Sequence, residues 1–201
     1  MARRVIYESS RGFDQIDVED ELMKSRKVFL VGAVNSDTCN ELIKQLMCLE
    51  AQDNTKEITI YINSPGGSVS DGLALYDVIQ LLDSPIRTVC VGMAASMGAI
   101  LFLAGEKRQM LPHSEIMIHD PSYHGLDVGG QKPHEIQRKV DSLNETRKML
   151  AQIIAERTGK SVKEVYKVTA EDTYYKAKAA VEFGLSTEII TKGIRCRRRF
   201  F

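Results

Sequence analysis

Apolar residues recur along the chain with two different spacings, and together they predict strands that alternate with helices. Residues 57–63 alternate between apolar and polar, the period of a strand with one buried face. Between Cys39 and Leu49 the apolar positions recur at three and four, as in an amphipathic helix, and Asn35 is among the residues expected to cap it. Similar patterns predict strands over 27–31, 86–91, 109–111, 115–119 and 187–190, and helices over 73–82, 97–104, 133–158, 161–168 and 176–183.

Strands separated by helices of this length predict βαβ units, and therefore an α/β fold with a largely parallel sheet covered by helices. No linker or repeat interrupts the pattern, so residues 1–201 are expected to form one domain. Two glycine-rich segments, 64–68 and 92–98, are interpreted as turns between a strand and the next helix. The carboxyl ends of parallel strands are where such sheets bind ligands, but neither segment matches a P-loop or a dinucleotide fingerprint.

The charge balance narrows the classes of partner. Lys and Arg number 27, as do Asp and Glu, so the net charge is zero, which disfavours nucleic-acid binding through bulk positive charge and permits self-association. Residues 192–201 hold five of the basic residues and no acid, which leaves the rest of the chain mildly acidic. This tail is interpreted as a solvated run. No apolar run approaches the ~20 residues of a membrane span.

The cysteines and the first residues bear on the compartment. The four cysteines form no CxxC pair, so neither a zinc site nor a disulfide framework is expected. They are Cys39, Cys48, Cys90 and Cys196. The first ten residues carry basic side chains without the apolar run of a secretory signal. Scattered thiols without such a signal predict a cytoplasmic protein.

Ser96 is the strongest chemical candidate from the residues alone. It lies among small residues between a predicted strand end and a predicted helix start. A lone serine there is usually a helix N-cap, and it becomes a nucleophile only with a base, an orienting acid and an oxyanion site. His119, at the end of an apolar strand, is the best placed base, with a buried structural histidine as the alternative. His113, His124 and His134 lie in polar or loop contexts.

The orienting acid stays open on these grounds. The candidates are Asp120, Asp127, Asp141 and Asp172. Asp120 directly follows His119 and is expected to point to the opposite face, because successive strand residues alternate. Nothing else in the pattern distinguishes the other three.

Three segments in a fixed order resemble the proteolytic subunits of the Clp protease family. They are YINSPGGSVSDGLALYD, VGMAASMGAILFLAG and LPHSEIMIHDP, and similarity continues into AVEFGLSTEII near the end. The resemblance implies a self-compartmentalising serine peptidase in which Ser96 is the nucleophile and His119 the general base. It implies that Asp172 orients His119, and that the backbone N–H groups of Gly67 and Met97 form the oxyanion hole.

The same resemblance implies a ClpP/crotonase-like fold of repeated ββα units. It assigns about residues 1–18 to an axial N-terminal segment and about 123–157 to a protruding strand–helix handle, with 192–201 as the basic tail. It implies heptameric rings of this chain, two of which stack through the handles into a tetradecamer.

Partners also follow from the resemblance. An ATP-driven AAA+ unfoldase, of the ClpX, ClpA or ClpC sort, would feed unfolded protein substrates into the chamber. Tyr61 and Leu81 fall where the family docks its unfoldase, although both are equally explained as packing residues. No metal or cofactor is expected in this subunit, because ATP is used by the partner. No membrane or nucleic-acid partner is expected.

Several positions depart from the family's pattern. Asp120 stands where many members carry Gln, and Ser122-Tyr123 where many carry Gly-Gly. Ala170 and Glu171 replace an Asp-Arg pair that links ring stacking to the catalytic triad. These departures predict weaker ring stacking, or dependence on a second ClpP subunit in mixed rings. The alternatives are therefore a subunit that is inactive alone and, less favoured because a full triad is present, a crotonase-type acyl-CoA enzyme.

Overall fold

The computed structural model describes residues 4–9, 12–123 and 129–192, where nine strands and seven helices follow one another. The strands are β1 (Arg4–Ser9), β2 (Gly12–Asp17), β3 (Lys27–Val34), β4 (Ile58–Gly67), β5 (Ile86–Ala95), β6 (Lys107–Met110), β7 (Glu115–Ile118), β8 (Thr173–Lys176) and β9 (Glu188–Ile189). The helices are α1 (Val18–Lys24), α2 (Ser36–Gln52), α3 (Val69–Leu81), α4 (Met97–Leu103), α5 (Pro133–Thr158), α6 (Val162–Thr169) and α7 (Ala177–Phe183).

The main sheet is largely parallel, as the alternating pattern predicts. Its strand order is β3-β4-β5-β6-β9, and all of these neighbours are parallel. Strand β5 has two successive partners, because residues 87–90 pair with β6 and residues 93–95 pair with β7. Strand β8 adds to β7 antiparallel. Strands β1 and β2 form a separate antiparallel pair. The mixed α/β architecture agrees with the predicted fold class.

The core lies between β3–β5 and the helices that cover them. The isoleucines of β4 alternate as predicted, and those at 58, 60 and 62 are at most 1% exposed. Every residue of α4 is buried, so this short helix lies inside the protein and not on its surface. Helix α2 begins with a capping box between Asn35 and Thr38, which confirms Asn35 as its cap. Truncating a core leucine such as Leu46 is expected to cost about 2–5 kcal/mol of stability.

Both glycine-rich segments were predicted as turns, and this prediction is wrong for most of their residues. Strand β4 continues to Gly67 and β5 continues to Ala95. Residues 66–67 pair with residues 33–34 of β3, and Ser64 pairs with Ala94 of β5 after a shift in register. Pairing on both sides keeps these residues extended despite their glycines. Each strand therefore passes almost directly into its helix.

Strand β8 and the whole segment before β3 were missed by the sequence analysis. Strand β8 is four residues long, and its sequence TYYK has no apolar alternation long enough to predict a strand. Helix α5, by contrast, starts at the predicted Pro133 and stops before Gly159, which has the left-handed φ of 72°.

Helix α5 is buried only near its C-terminal end. Its buried residues are Leu150, Ala151, Ile154 and Ala155. Val140, in the predicted apolar stripe, is 43% exposed, and the preceding turns offer no buried residue. The handle assignment over 123–157 stays a prediction, and its residues 124–128 lie outside the described residues, as do residues 193–201 of the basic tail. Among the described helices, none combines the length and the apolar character needed to cross a membrane.

Candidate active site

Ser96 lies at the junction between β5 and α4, with the strained backbone angles φ 53° and ψ −122°. Its N–H donates to the carbonyl of Met117 on β7, at 2.9 Å, so the junction is tied to the neighbouring strand. The Ser96 hydroxyl makes no capping hydrogen bond to α4. Ser96 therefore occupies the N-cap position of α4 without capping the helix through its side chain, and the hydroxyl is available for another contact. A positive φ at a non-glycine residue is costly and is concentrated at functional sites.

Gly66 permits this junction. A Cβ at Gly66 would lie 2.7 Å from the Cβ of Ser96 and 2.9 Å from the N of Met97. Its φ of 90° is also a conformation that other residues avoid. The sequence analysis singled out Gly67 and passed over Gly66, although the adjacent glycines of the SPGG segment were the available signal.

The Ser96 hydroxyl meets His119. The Nε2 atom of His119 lies 2.8 Å from Oγ of Ser96. Strand β7 carries His119 to this position, because Met117 pairs with Ala95 of β5 and His119 follows two residues later on the same face. The end of β7 therefore holds an imidazole beside the serine hydroxyl, and the role of His119 as the base stays a prediction.

Asp172 lies on the other side of the imidazole. Its Oδ1 is 3.2 Å from Nδ1 of His119, and the Asp172 side chain is 60% exposed. Strand β8 explains the approach: Thr173 pairs with Ile118, so the residue before Thr173 reaches the residue after Ile118. Because β8 was not predicted, the sequence pattern alone could not predict that Asp172 lies beside His119.

The remaining candidate acids and bases that the structure describes do not join this cluster. Asp120 turns away from His119, as predicted, and pairs with Arg147. Asp141 is exposed on α5 and accepts a hydrogen bond from Gln137. His113 and His134 are exposed. Asp127 and His124 lie outside the described residues.

Of the two predicted oxyanion donors, Met97 directly follows Ser96 and Gly67 directly follows Gly66. Met97 is the first residue of α4, where backbone N–H groups have no acceptor within the helix. Gly67 follows the residue that packs against Ser96 and Met97. The structure shows why position 67 is glycine: a Cβ there would lie 2.2 Å from the carbonyl oxygen of Val34, and φ is 151°.

Comparison with known proteins decides the family. The family model described as Clp protease matches residues 10–193. A curated relative, the "ATP-dependent Clp protease proteolytic subunit" of Streptococcus mutans serotype c, is 40% identical over 188 residues, or 92% of this chain and 95% of the relative. The chain belongs to the Clp protease family. It is accordingly a serine-type endopeptidase subunit of a Clp protease, and the acyl-CoA alternative is not supported.

An apolar groove borders the serine of this Clp protease subunit. It opens beside Ser96 and His119 and is lined by side chains from α3, α4, β7 and α5. The apolar lining residues are Val69, Met97, Ile100, Ile118, Pro121, Leu150 and Ile154. The groove therefore presents mainly apolar side chains beside Ser96.

Other nucleophiles and metal ligands are poorly placed. Burial raises the pKa of the Cys39 and Cys90 thiols, which disfavours the reactive thiolate. In the part of the chain that the structure describes, no three side chains of His, Cys, Asp or Glu are grouped as metal ligands.

The two residues predicted to dock a partner lie on the outer surface. The Tyr61 ring stacks on that of Phe29, with centroids 5.0 Å apart, and Phe29 is 42% exposed. Leu81, the last residue of α3, is 83% exposed. Leu81 is therefore not an internal packing residue, whereas Tyr61 packs on its neighbour while remaining accessible.

Proposed function

We propose that Ser96, His119 and Asp172 are the catalytic triad of this peptidase. The observation that carries the proposal is the continuous contact from Ser96 Oγ to His119 Nε2, at 2.8 Å, and from His119 Nδ1 to Asp172, at 3.2 Å. These distances are within the reach that proton transfer and imidazole orientation require. The Clp protease family membership supports the same chemistry.

In the proposed mechanism, His119 takes the hydroxyl proton as Ser96 attacks the scissile carbonyl. The tetrahedral intermediate collapses, the proton passes from His119 to the leaving amine, and an acyl-enzyme remains on Ser96. Water, deprotonated by His119, then releases the peptide acid and restores the serine. Asp172 holds the imidazole tautomer throughout.

The N–H groups of Gly67 and Met97 are proposed to stabilise the oxyanion. Each such donor typically contributes about 3–4 kcal/mol to barrier lowering. No metal or cofactor takes part in these steps. The apolar groove beside Ser96 supports cleavage next to an apolar residue of the substrate.

We further propose that the chain works in assemblies. In this proposal heptameric rings stack through residues 123–157 into a tetradecamer, or form mixed rings with a second ClpP. An AAA+ unfoldase such as ClpX, ClpA or ClpC spends ATP to feed unfolded proteins past residues 1–18. The exposed Leu81 and the Phe29–Tyr61 stack support an unfoldase docking surface. Thiols without a disulfide framework support a cytoplasmic location.

A second candidate is a subunit that is inactive alone and completes or regulates mixed rings. Ala170 and Glu171 favour it, because both are exposed and neither supplies the Asp-Arg pair that the resemblance led us to expect. Sedimentation velocity of the isolated chain is expected to detect single rings or smaller species. A stable double ring of this chain alone would contradict the prediction of weak stacking.

The triad is tested by labelling the full-length native protein with a fluorophosphonate, a probe that reacts with activated serines. Labelling is expected in the wild type and in the control Ser142→Ala, which removes an exposed hydroxyl from α5. Ser96→Ala is expected to abolish it. Undiminished labelling of Ser96→Ala would refute the assigned nucleophile, and no labelling of the wild type would favour the inactive-alone candidate, to be checked by adding a second ClpP.

A further inference from the structure

Asp120, the residue after His119, is held by three contacts. Its Oδ1 accepts a 2.7 Å hydrogen bond from the Thr169 hydroxyl, and its N–H donates to the Thr169 carbonyl, also at 2.7 Å. Its Oδ2 lies 2.7 Å from Nε of Arg147 on α5. The Arg147 N–H is not aimed at this oxygen, so the contact is an ion pair rather than a hydrogen bond.

Thr169 connects Asp120 to the segment that carries Asp172. It is the last residue of α6, it is 3% exposed, and Asp172 follows three residues later. The other end of the segment is also fixed, because the Thr173 hydroxyl donates to the carbonyl of Val168 at 2.6 Å. The short connection bearing the triad acid is therefore anchored on both sides.

The β7–β8 ladder cannot by itself hold His119 against Asp172. Its last pair is Ile118 with Thr173, and both triad residues lie beyond that pair. The contacts between Asp120 and Thr169 join the same two segments on the far side of the triad pair. The His119–Asp172 contact is thus bracketed by a backbone pair on one side and by Asp120 on the other.

Arg147 adds a link to the long helix. Its guanidinium carbon lies 4.4 Å from the centre of the Tyr166 ring on α6, while its Nε lies 2.7 Å from Oδ2 of Asp120. One arginine therefore contacts both the end of β7 and the helix that leads to Asp172. A carboxylate suits this position because it accepts from a hydroxyl and pairs with a cation at once, whereas a neutral amide has one acceptor oxygen for these two partners.

We propose that Asp120 is a positioning residue that, clamped by Arg147, holds the Asp172 segment against His119 through Thr169. This inference rests on the proposed triad and deepens it, since Asp120 touches neither the serine nor the peptide bond and acts only through its neighbours.

The test compares variants that remove each contact with variants that keep it. Asp120→Asn removes the charge, Thr169→Val removes the hydroxyl and Arg147→Met removes the cation. Thr169→Ser and Arg147→Lys are the conservative counterparts. Matched controls are Glu57→Gln and Arg87→Met, which break an ion pair with a 2.6 Å contact away from the site; Glu57→Gln also removes a 3.0 Å pair with Lys107. The side chains of Arg87 and Glu57 are 33% and 26% exposed. Those of Arg147 and Asp120 are similar, at 36% and 28%.

Besides the melting temperature, two quantities are measured for each variant of the whole chain. The first is the second-order rate of fluorophosphonate labelling at Ser96. The second is hydrogen exchange of the backbone amides over residues 168–172, which needs no activity.

For Asp120→Asn, Thr169→Val and Arg147→Met we expect labelling to slow by about tenfold to a hundredfold, the loss that a misplacement of about 1 Å produces. Amide exchange over 168–172 is expected to quicken. Thr169→Ser and Arg147→Lys should recover most of the rate, and the controls should stay within about twofold of the wild type, as surface changes do.

The inference is overturned if Asp120→Asn labels as fast as Glu57→Gln while labelling still depends on Ser96, a result that leaves the proposed triad intact. If the wild type is not labelled at all, the proposed activity of the isolated chain fails. Amide exchange then decides the inference alone: unchanged protection of residues 168–172 in Asp120→Asn overturns it, and selective loss supports it.

Discussion

The two halves of the candidate site are built in different ways. Ser96 and His119 follow the ends of β5 and β7, strands whose last residues, Ala95 and Ile118, are 2% exposed. Asp172 lies on an exposed connection between α6 and β8. The serine–histidine distance is therefore fixed within the sheet, whereas the histidine–aspartate distance depends on the last pair of the β7–β8 ladder and on a few hydrogen bonds beyond it. We therefore expect the acid side of the proposed triad to be misaligned more easily than the serine side.

The largest expected effect comes from removing the acid itself. Asp172→Asn keeps the shape but loses the charge that orients His119, so Ser96 labelling is expected to fall by about 10⁴-fold. The melting temperature should change little, since the Asp172 side chain is mostly exposed. Asp141→Asn, an exposed aspartate on α5, is the control. A loss smaller than about tenfold would mean that Asp172 is not the orienting acid.

A change beside Ser96, in the half of the site that follows β5 and β7, should lower both activity and stability. In Gly66→Ala, the new Cβ meets the backbone oxygen of Ala95 at 2.6 Å, so the Ser96 junction must shift. We expect labelling to slow by about a hundredfold and the melting temperature to fall. Chemical denaturation and labelling measure the two effects.

The control for Gly66→Ala separates its backbone conformation from its packing. Gly32→Ala has a nearly equal φ, 85° against 90°, but open space around its Cβ. It should lose stability through strain alone and keep its labelling rate, after correction for the folded fraction. Equal losses of labelling in both variants would show that close packing under Ser96 is not what matters.

The smallest expected effect on labelling comes from a change in the connection that carries Asp172. Thr173→Val removes the hydroxyl that binds the Val168 carbonyl, and about 1 kcal/mol of stability with it. Labelling is expected to slow by about threefold to tenfold, because the Asp172 segment loosens. Thr158→Val removes a bond of the same 2.6 Å length at the end of α5 and should cost similar stability without slowing labelling. If both variants label alike, the Asp172 connection is held by other contacts.

Much of the fold was predictable because buried positions recur in the sequence with the period of the strand or helix that carries them. The alternation in β4, the cap at Asn35 and the glycine stop of α5 all follow from local chemistry, and the structure confirms each of them. Strand β8 shows no such periodicity in the sequence. Its four residues form a strand because β7 lies beside them and pairs with them. The extension of β4 through Pro65 and two glycines also depends on pairing partners distant in sequence.

The candidate site also contains residues that local patterns predict and residues that they do not. Ser96 and His119 could be singled out from the residues, because each stands at the end of an apolar strand where chemistry is expected. Asp172 could be named only through the resemblance to the Clp protease family, and Asp120 was seen only as turned away from His119. The contacts of Asp120 with Thr169 and Arg147 cross 49 and 27 positions of the chain. No local pattern encodes such contacts.

By itself, the sequence determined the class of fold and the order of most elements, and it singled out Ser96 and His119 as candidates, because these depend on periodicity and on residue type at strand ends. Only the tertiary structure decided that Gly66 makes room for Ser96, that β8 delivers Asp172, and that Asp120 brackets the pair. Those features depend on which distant segments come within a few ångströms of one another. Spacing along the chain carries no information about that until the sheet has formed.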